Sequence, residues 1–134
     1  MRSRLAAVGI VAGVALGALT PVAQAASHKD ISCTSSKGDK GLVRIYFGSR
    51  NKVTKIDYKI KVGRGGKKTK NDVLVTDHGV APPKKSDSGD KAKGDNRWHR
   101  LRNRDYTRGI GYIHAHFIFN HPGSDPKCTG SKRI

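Results

Sequence analysis

Two histidines one residue apart, His114-Ala115-His116, lie in the most apolar stretch of the chain, residues 110–119. Alternate side chains of an extended strand point the same way, so these imidazoles share a face. Such a pair can begin a metal site, but zinc needs at least a third protein ligand. His78, His99, His121 or an aspartate would have to converge on His114 and His116, and no sequence spacing brings one there. No metal and no cofactor is therefore expected.

The same histidines offer a binding face if the neighbouring strand is read with them. Opposing Leu101 to Ile113 sets Trp98 against His116, Arg100 against His114 and Arg102 against Tyr112. One exposed surface then carries Trp98, Arg100, Arg102, Tyr112, His114 and His116. Aromatic planes interleaved with guanidinium groups stack on bases or sugars and pair with phosphate. The competing arrangement buries Trp98. A one-residue slip would set it against Phe117 but turn Arg100 and Arg102 inward, whereas a bulge near His99 would bury both Trp98 and Leu101.

Positive charge supplies the broader signal. The chain has 27 Lys and Arg against 10 acidic residues, and every acid is an aspartate. Lys55, Lys59 and Lys61 fall on the polar side of one strand, with Lys67, Lys68 and Lys70 in the following turn. Arg97, Arg100, Arg102, Arg104 and Arg108 form a second cluster. A small domain needs a net charge of only about 2–8 for solubility. The larger surplus here points to a polyanionic partner, with Lys55, Lys59, Lys61, Lys67, Lys68, Arg100 and Arg102 making the phosphate or carboxylate contacts.

Catalytic sets are incomplete. Small basic ribonucleases commonly pair Glu with His, and Glu is absent. His114 and His116 lie side by side rather than across a scissile bond, which suits acid–base relay poorly. There is no G-x-S-x-G motif, and Asp87, Asp90 and Asp95 lack calcium-loop spacing. The expected function is thus a non-enzymatic module docking on an anionic surface or polymer: a wall polymer, acidic polysaccharide or nucleic acid. An antimicrobial or toxin-like effector, a secreted ribonuclease and an inhibitor of a secreted enzyme are the alternatives.

These side chains need a frame, and the composition favours strands. Between residue 26 and the end there is no Glu, Gln or Met, whereas Ile, Val, Thr, Tyr and Gly abound. Ile56, Tyr58, Ile60 and Val62 alternate with Lys55, Asp57, Lys59 and Lys61, a period of two. Val43, Ile45 and Phe47 alternate likewise, and Ser49–Lys52 between the two runs reads as a hairpin loop. The register opposing Ile45 to Ile56 and Val43 to Tyr58 also opposes Arg44 to Asp57, so core pattern and charge agree. Further strands are expected at 73–76, 97–102 and 110–119, with residues 81–96 a long mobile loop. The predicted fold is an all-β, antiparallel sandwich of six or seven strands, immunoglobulin-like or otherwise, with a small barrel as the alternative.

The opening residues read as an export signal. Arg2 and Arg4 precede an apolar run over 5–19, Pro21 breaks it, and Ala23-Gln24-Ala25 is a cleavage motif. Cleavage after Ala25 removes two arginines and leaves one domain, 26–134, with a net charge of +15. In an oxidising compartment the two cysteines, Cys33 and Cys128, are expected to form a disulfide joining the first and last strands. A secreted, bacterial, monomeric protein without an integral membrane segment follows as the expectation.

Overall fold

The structure, a computed structural model, describes residues 27–134, so the expected leader lies outside the described residues. Alternation of β-branched and polar residues dominates this segment, and nine strands form. They are β1 (Ser27–Thr34), β2 (Lys40–Phe47), β3 (Lys52–Lys61), β4 (Asp72–Asp77), β5 (Lys84–Asp87), β6 (His99–Arg102), β7 (Tyr106–Thr107), β8 (Tyr112–Ile118) and β9 (Lys127–Arg133). One sheet runs β1-β2-β3-β6, with β7 also on β3, and the other runs β5-β4-β8-β9. All pairings are antiparallel.

The two sheets face each other as a sandwich and do not close into the alternative barrel. Val43, Ile45, Ile56 and Ile60 meet Val73, Val75, Ile113 and Phe117, all sealed from solvent. The immunoglobulin order is not the one found. There the second strand lies between the first and fifth, whereas here β2 lies between β1 and β3. Cys33 and Cys128 are bonded, with Cα atoms 5.8 Å apart, and they clip edge strand β1 to edge strand β9. Gly130 permits that approach, because a Cβ there would lie 2.6 Å from the Ser32 carbonyl.

The β2–β3 register is the predicted one: Ile45 opposes Ile56, Val43 opposes Tyr58 and Arg44 opposes Asp57. Arg50 and Asn51 take positive φ (58° and 54°), the turn geometry that suits a hairpin's twist. Three expectations fail. First, residues 81–96 carry β5, a 3-10 turn at Gly89–Lys91 and the fully buried Ala92, whose backbone bonds to Asn71. The packing uses residues too few and too widely spaced to make a period. Second, β6 pairs with β3 and not with β8, so Leu101 does not oppose Ile113. Third, Arg108 is buried among its partners rather than part of a surface cluster.

A buried aspartate fastens each end of the sandwich. At one end Asp39 accepts hydrogen bonds from Ser35 Oγ (2.5 Å), Gly63 N–H (2.6 Å) and His121 Nε2 (2.8 Å), uniting three loops. Burial pushes its carboxyl upward, but these donors outweigh it and hold the group below its usual value. At the other end Asp77 accepts two bonds from Arg108 (2.8 and 3.0 Å) and one from the Tyr106 hydroxyl (2.8 Å). Burial again opposes, and the Arg108 and Tyr106 bonds again prevail.

Candidate functional site

The registers of the first sheet arrange its outer face in rows. Across the middle run Asp30, Arg44, Asp57 and Arg100, one from each of β1, β2, β3 and β6. Arg44 holds Asp30 with two bonds (2.8 and 2.9 Å), and Arg100 pairs with Asp57. Arg44 thus turns to Asp30 rather than to Asp57 opposite, because Arg100 occupies Asp57. The Arg44 bonds hold the Asp30 carboxyl below its usual value. This row is electrically balanced.

Beyond it, toward the Asp39 end, the balance disappears. Ser32, Leu42 and Lys59 form the next row, and Thr34, Lys40 and Lys61 the last. Lys40 stands directly opposite Lys61, an arrangement that costs stability because like charges face each other. None of Lys40, Lys59 and Lys61 makes an ion pair among the described residues. These three lysines, with Ser32, Thr34, Leu42 and Asn96, line a groove of about 410 Å³. No acidic side chain lines it among the described residues. Gly41 lines it with its backbone, and a Cβ there would point the other way, into the core, 2.5 Å from the Phe117 ring.

Trp98 stands beside the groove. It is 36% exposed and so is not core; its ring lies 4.5 Å from the Arg44 guanidinium and 5.0 Å from Lys59 Nζ. The β3–β4 connection continues from the same end and carries the exposed Arg64, Lys67 and Lys68. Asn71, fully buried, fixes that connection by donating to the Lys67 carbonyl (3.0 Å) and accepting from Asn120 N–H (2.8 Å).

The face predicted from the Leu101–Ile113 pairing is split between sheets. Trp98 and Arg100 belong to the first, and Tyr112, His114 and His116 lie on the outside of the second. A bulge at Leu101 turns Arg102 aside, opposite the inward-facing Ile56, where its guanidinium lies 4.9 Å from the Tyr106 ring. Of the predicted lysines, Lys59 and Lys61 line the groove, Lys67 and Lys68 lie exposed on the β3–β4 connection, where Lys67 N–H donates to the Asn120 carbonyl just past β8, and Lys55 sits 4.1 Å over the Tyr46 ring, two residues along β3 from Asp57. His114 meets His78 edge-on at 4.9 Å, and His116 Nδ1 lies 2.7 Å from the Thr129 hydroxyl. Among the described residues no three His, Cys or carboxylate groups gather in metal-binding geometry.

Sequence reasoning missed Lys40, Ser32, Thr34 and Asn96. For Lys40 the signal was present, since the Ile45–Ile56 register carried five residues further sets it against Lys61. A second depression of about 610 Å³ is bordered by Ser49, Arg50, Lys52 and Thr107, but Lys52 is held by Asp105 at 2.8 Å and no aromatic side chain among the described residues lines it. No protein-family model, curated protein or solved structure matches the chain.

Proposed function

We propose that this is an exported binding module that docks on an anionic polymer or surface through the outer face of its first sheet. The carrying observation is the groove in which Lys40, Lys59 and Lys61 converge, with no acidic side chain among the described residues lining it. Folding gains nothing from opposed ammonium groups, whereas an anion between them turns repulsion into attraction. Arg64, Lys67 and Lys68, exposed on the connection that leaves β3 after Lys61, add positive charge at the same end of the sandwich. The leader-like first 25 residues and the Cys33–Cys128 bond support export. The absence of a paired nucleophile and base among the groove residues favours binding over catalysis.

Heparin-affinity chromatography tests the reading. The wild-type domain is expected to elute at high salt, and Lys40→Ala/Lys59→Ala/Lys61→Ala at markedly lower salt, with unchanged circular dichroism. Elution of the wild type alongside a neutral protein of the same size would refute it.

A further inference from the structure

The groove holds more than charge, and its other groups specify what kind of polyanion fits. We infer that it is a subsite for an anionic glycan, a saccharide carrying sulfate, phosphate or carboxylate groups; this rests on the polyanion reading above.

Three features converge. The hydroxyls of Ser32 and Thr34 and the amide of Asn96 share the wall with the lysines. Hydroxyls and amides both donate and accept, which matches sugar hydroxyl groups, themselves both donors and acceptors. An unsubstituted phosphate chain offers acceptors only and would use just half of that capacity. Leu42 provides an apolar patch between them, suited to the C–H face of a pyranose. Trp98 adds an indole beside Lys59, and its electron-rich face attracts both cations and the polarised C–H bonds of a sugar ring. Concavity agrees as well: about 410 Å³ lies within the usual range for a small-ligand site.

Nucleic acid fits less well. Base stacking along a strand needs successive free aromatic planes. On this face Trp98 is a single indole at the edge of the groove, and Tyr46 lies under Lys55, with His28 at 5.8 Å, on the far side of the Arg44–Asp57 row. Among the described residues no succession of aromatic rings lines the groove. The lysines would therefore hold the charged substituents, Ser32, Thr34 and Asn96 the hydroxyls, and Trp98 the edge of an adjoining ring.

Isothermal titration of the disulfide-bonded domain against four probes provides the test: a sulfated tetrasaccharide, the same tetrasaccharide desulfated, inorganic polyphosphate of matched charge, and a single-stranded oligonucleotide. The inference expects the sulfated saccharide to bind roughly tenfold or more tightly than polyphosphate, and desulfation to abolish binding. Trp98→Ala and Ser32→Ala/Thr34→Ala should each weaken the saccharide by several-fold to tenfold and leave polyphosphate within twofold. Equal affinity for saccharide and polyphosphate, insensitive to these changes, overturns the glycan assignment while leaving the polyanion reading intact. Preference for the oligonucleotide also overturns it. Failure of all charged probes to bind removes the polyanion reading itself. Thermal melts of each variant establish that it is folded.

Discussion

The outer faces of the two sheets share one frame and differ in electrical character. The first presents Lys40, Arg44, Lys55, Lys59, Lys61 and Arg100 against Asp30 and Asp57. The second presents Lys85, Lys127 and Arg133 against Asp72 and Asp87, with His114, His116, Thr129 and Ser131 between them. On the first, the acids are spent within a single row, and the surplus collects in the half nearest Asp39. On the second, the cations stand on outer strands, separated by imidazoles and hydroxyls. The contrast teaches that net charge alone does not locate a site. What locates it is where cations oppose cations.

Breaking the common frame should erase the difference altogether. Replacing Cys33 and Cys128 by serine frees a bond spanning 95 residues of sequence and is expected to lower stability by about 4–5 kcal/mol in the chain-entropy model. Chemical denaturation reads this, and both faces are lost together.

Asp77→Ala acts at the end far from the groove. It strips the buried Arg108 of its carboxylate and should cost about 3–5 kcal/mol, while the folded protein keeps its affinity for heparin. The pH dependence follows from the same carboxyl groups. Asp39 and Asp77 titrate below their usual value in the folded state, so their contribution is complete above about pH 4 and disappears as pH falls through the folded values. Asp72, pushed up by burial and by Asp87, works in the opposite direction. Melting temperature is expected to fall steeply below pH 4, and less steeply in Asp77→Asn.

Comparing the faces directly calls for matched triples. Lys40→Ala/Lys59→Ala/Lys61→Ala should weaken heparin binding by about 100-fold, at on the order of 1 kcal/mol per lost cation. The same number of charges removed at Lys85, Lys127 and Arg133 should change it by less than about threefold. Equal losses would erase the distinction. The smallest effect is the most discriminating: Lys40→Glu should raise stability by about 0.2–1 kcal/mol, by pairing with Lys61, and yet weaken binding. Improvement in one measurement and loss in the other would mark Lys40 as retained for a ligand.

Much of the frame was legible in the sequence because alternation is a local signal. The β2–β3 hairpin shows this best, since Ile45, Ile56 and the Arg44–Asp57 opposition all specify one register. The partner of β6 was not legible. His99–Arg102 is four residues long and bulged at Leu101, so its pattern fits β3 or β8 equally, and the choice rests on packing between distant segments. β1 hid for a similar reason, as only Ile31 and Cys33 mark its inner face. The groove was half legible. Lys59 and Lys61 announced themselves by periodicity, and Lys40 follows from the register, but Ser32 and Asn96 arrive from β1 and the β5–β6 connection by tertiary placement alone. Arg108 looked like surface charge because nothing local shows that Asp77, 31 residues earlier, waits beneath it.

Titration of the ¹⁵N-labelled domain with a sulfated oligosaccharide, followed residue by residue in amide and indole NMR spectra, tests the central claim most directly. The account predicts shifts concentrated at Ser32, Thr34, Lys40, Leu42, Lys59, Lys61, Asn96 and the Trp98 indole, with the Tyr112–Ile118 strand unmoved. Shifts shared evenly between the two faces, or centred on His114 and His116, would contradict it.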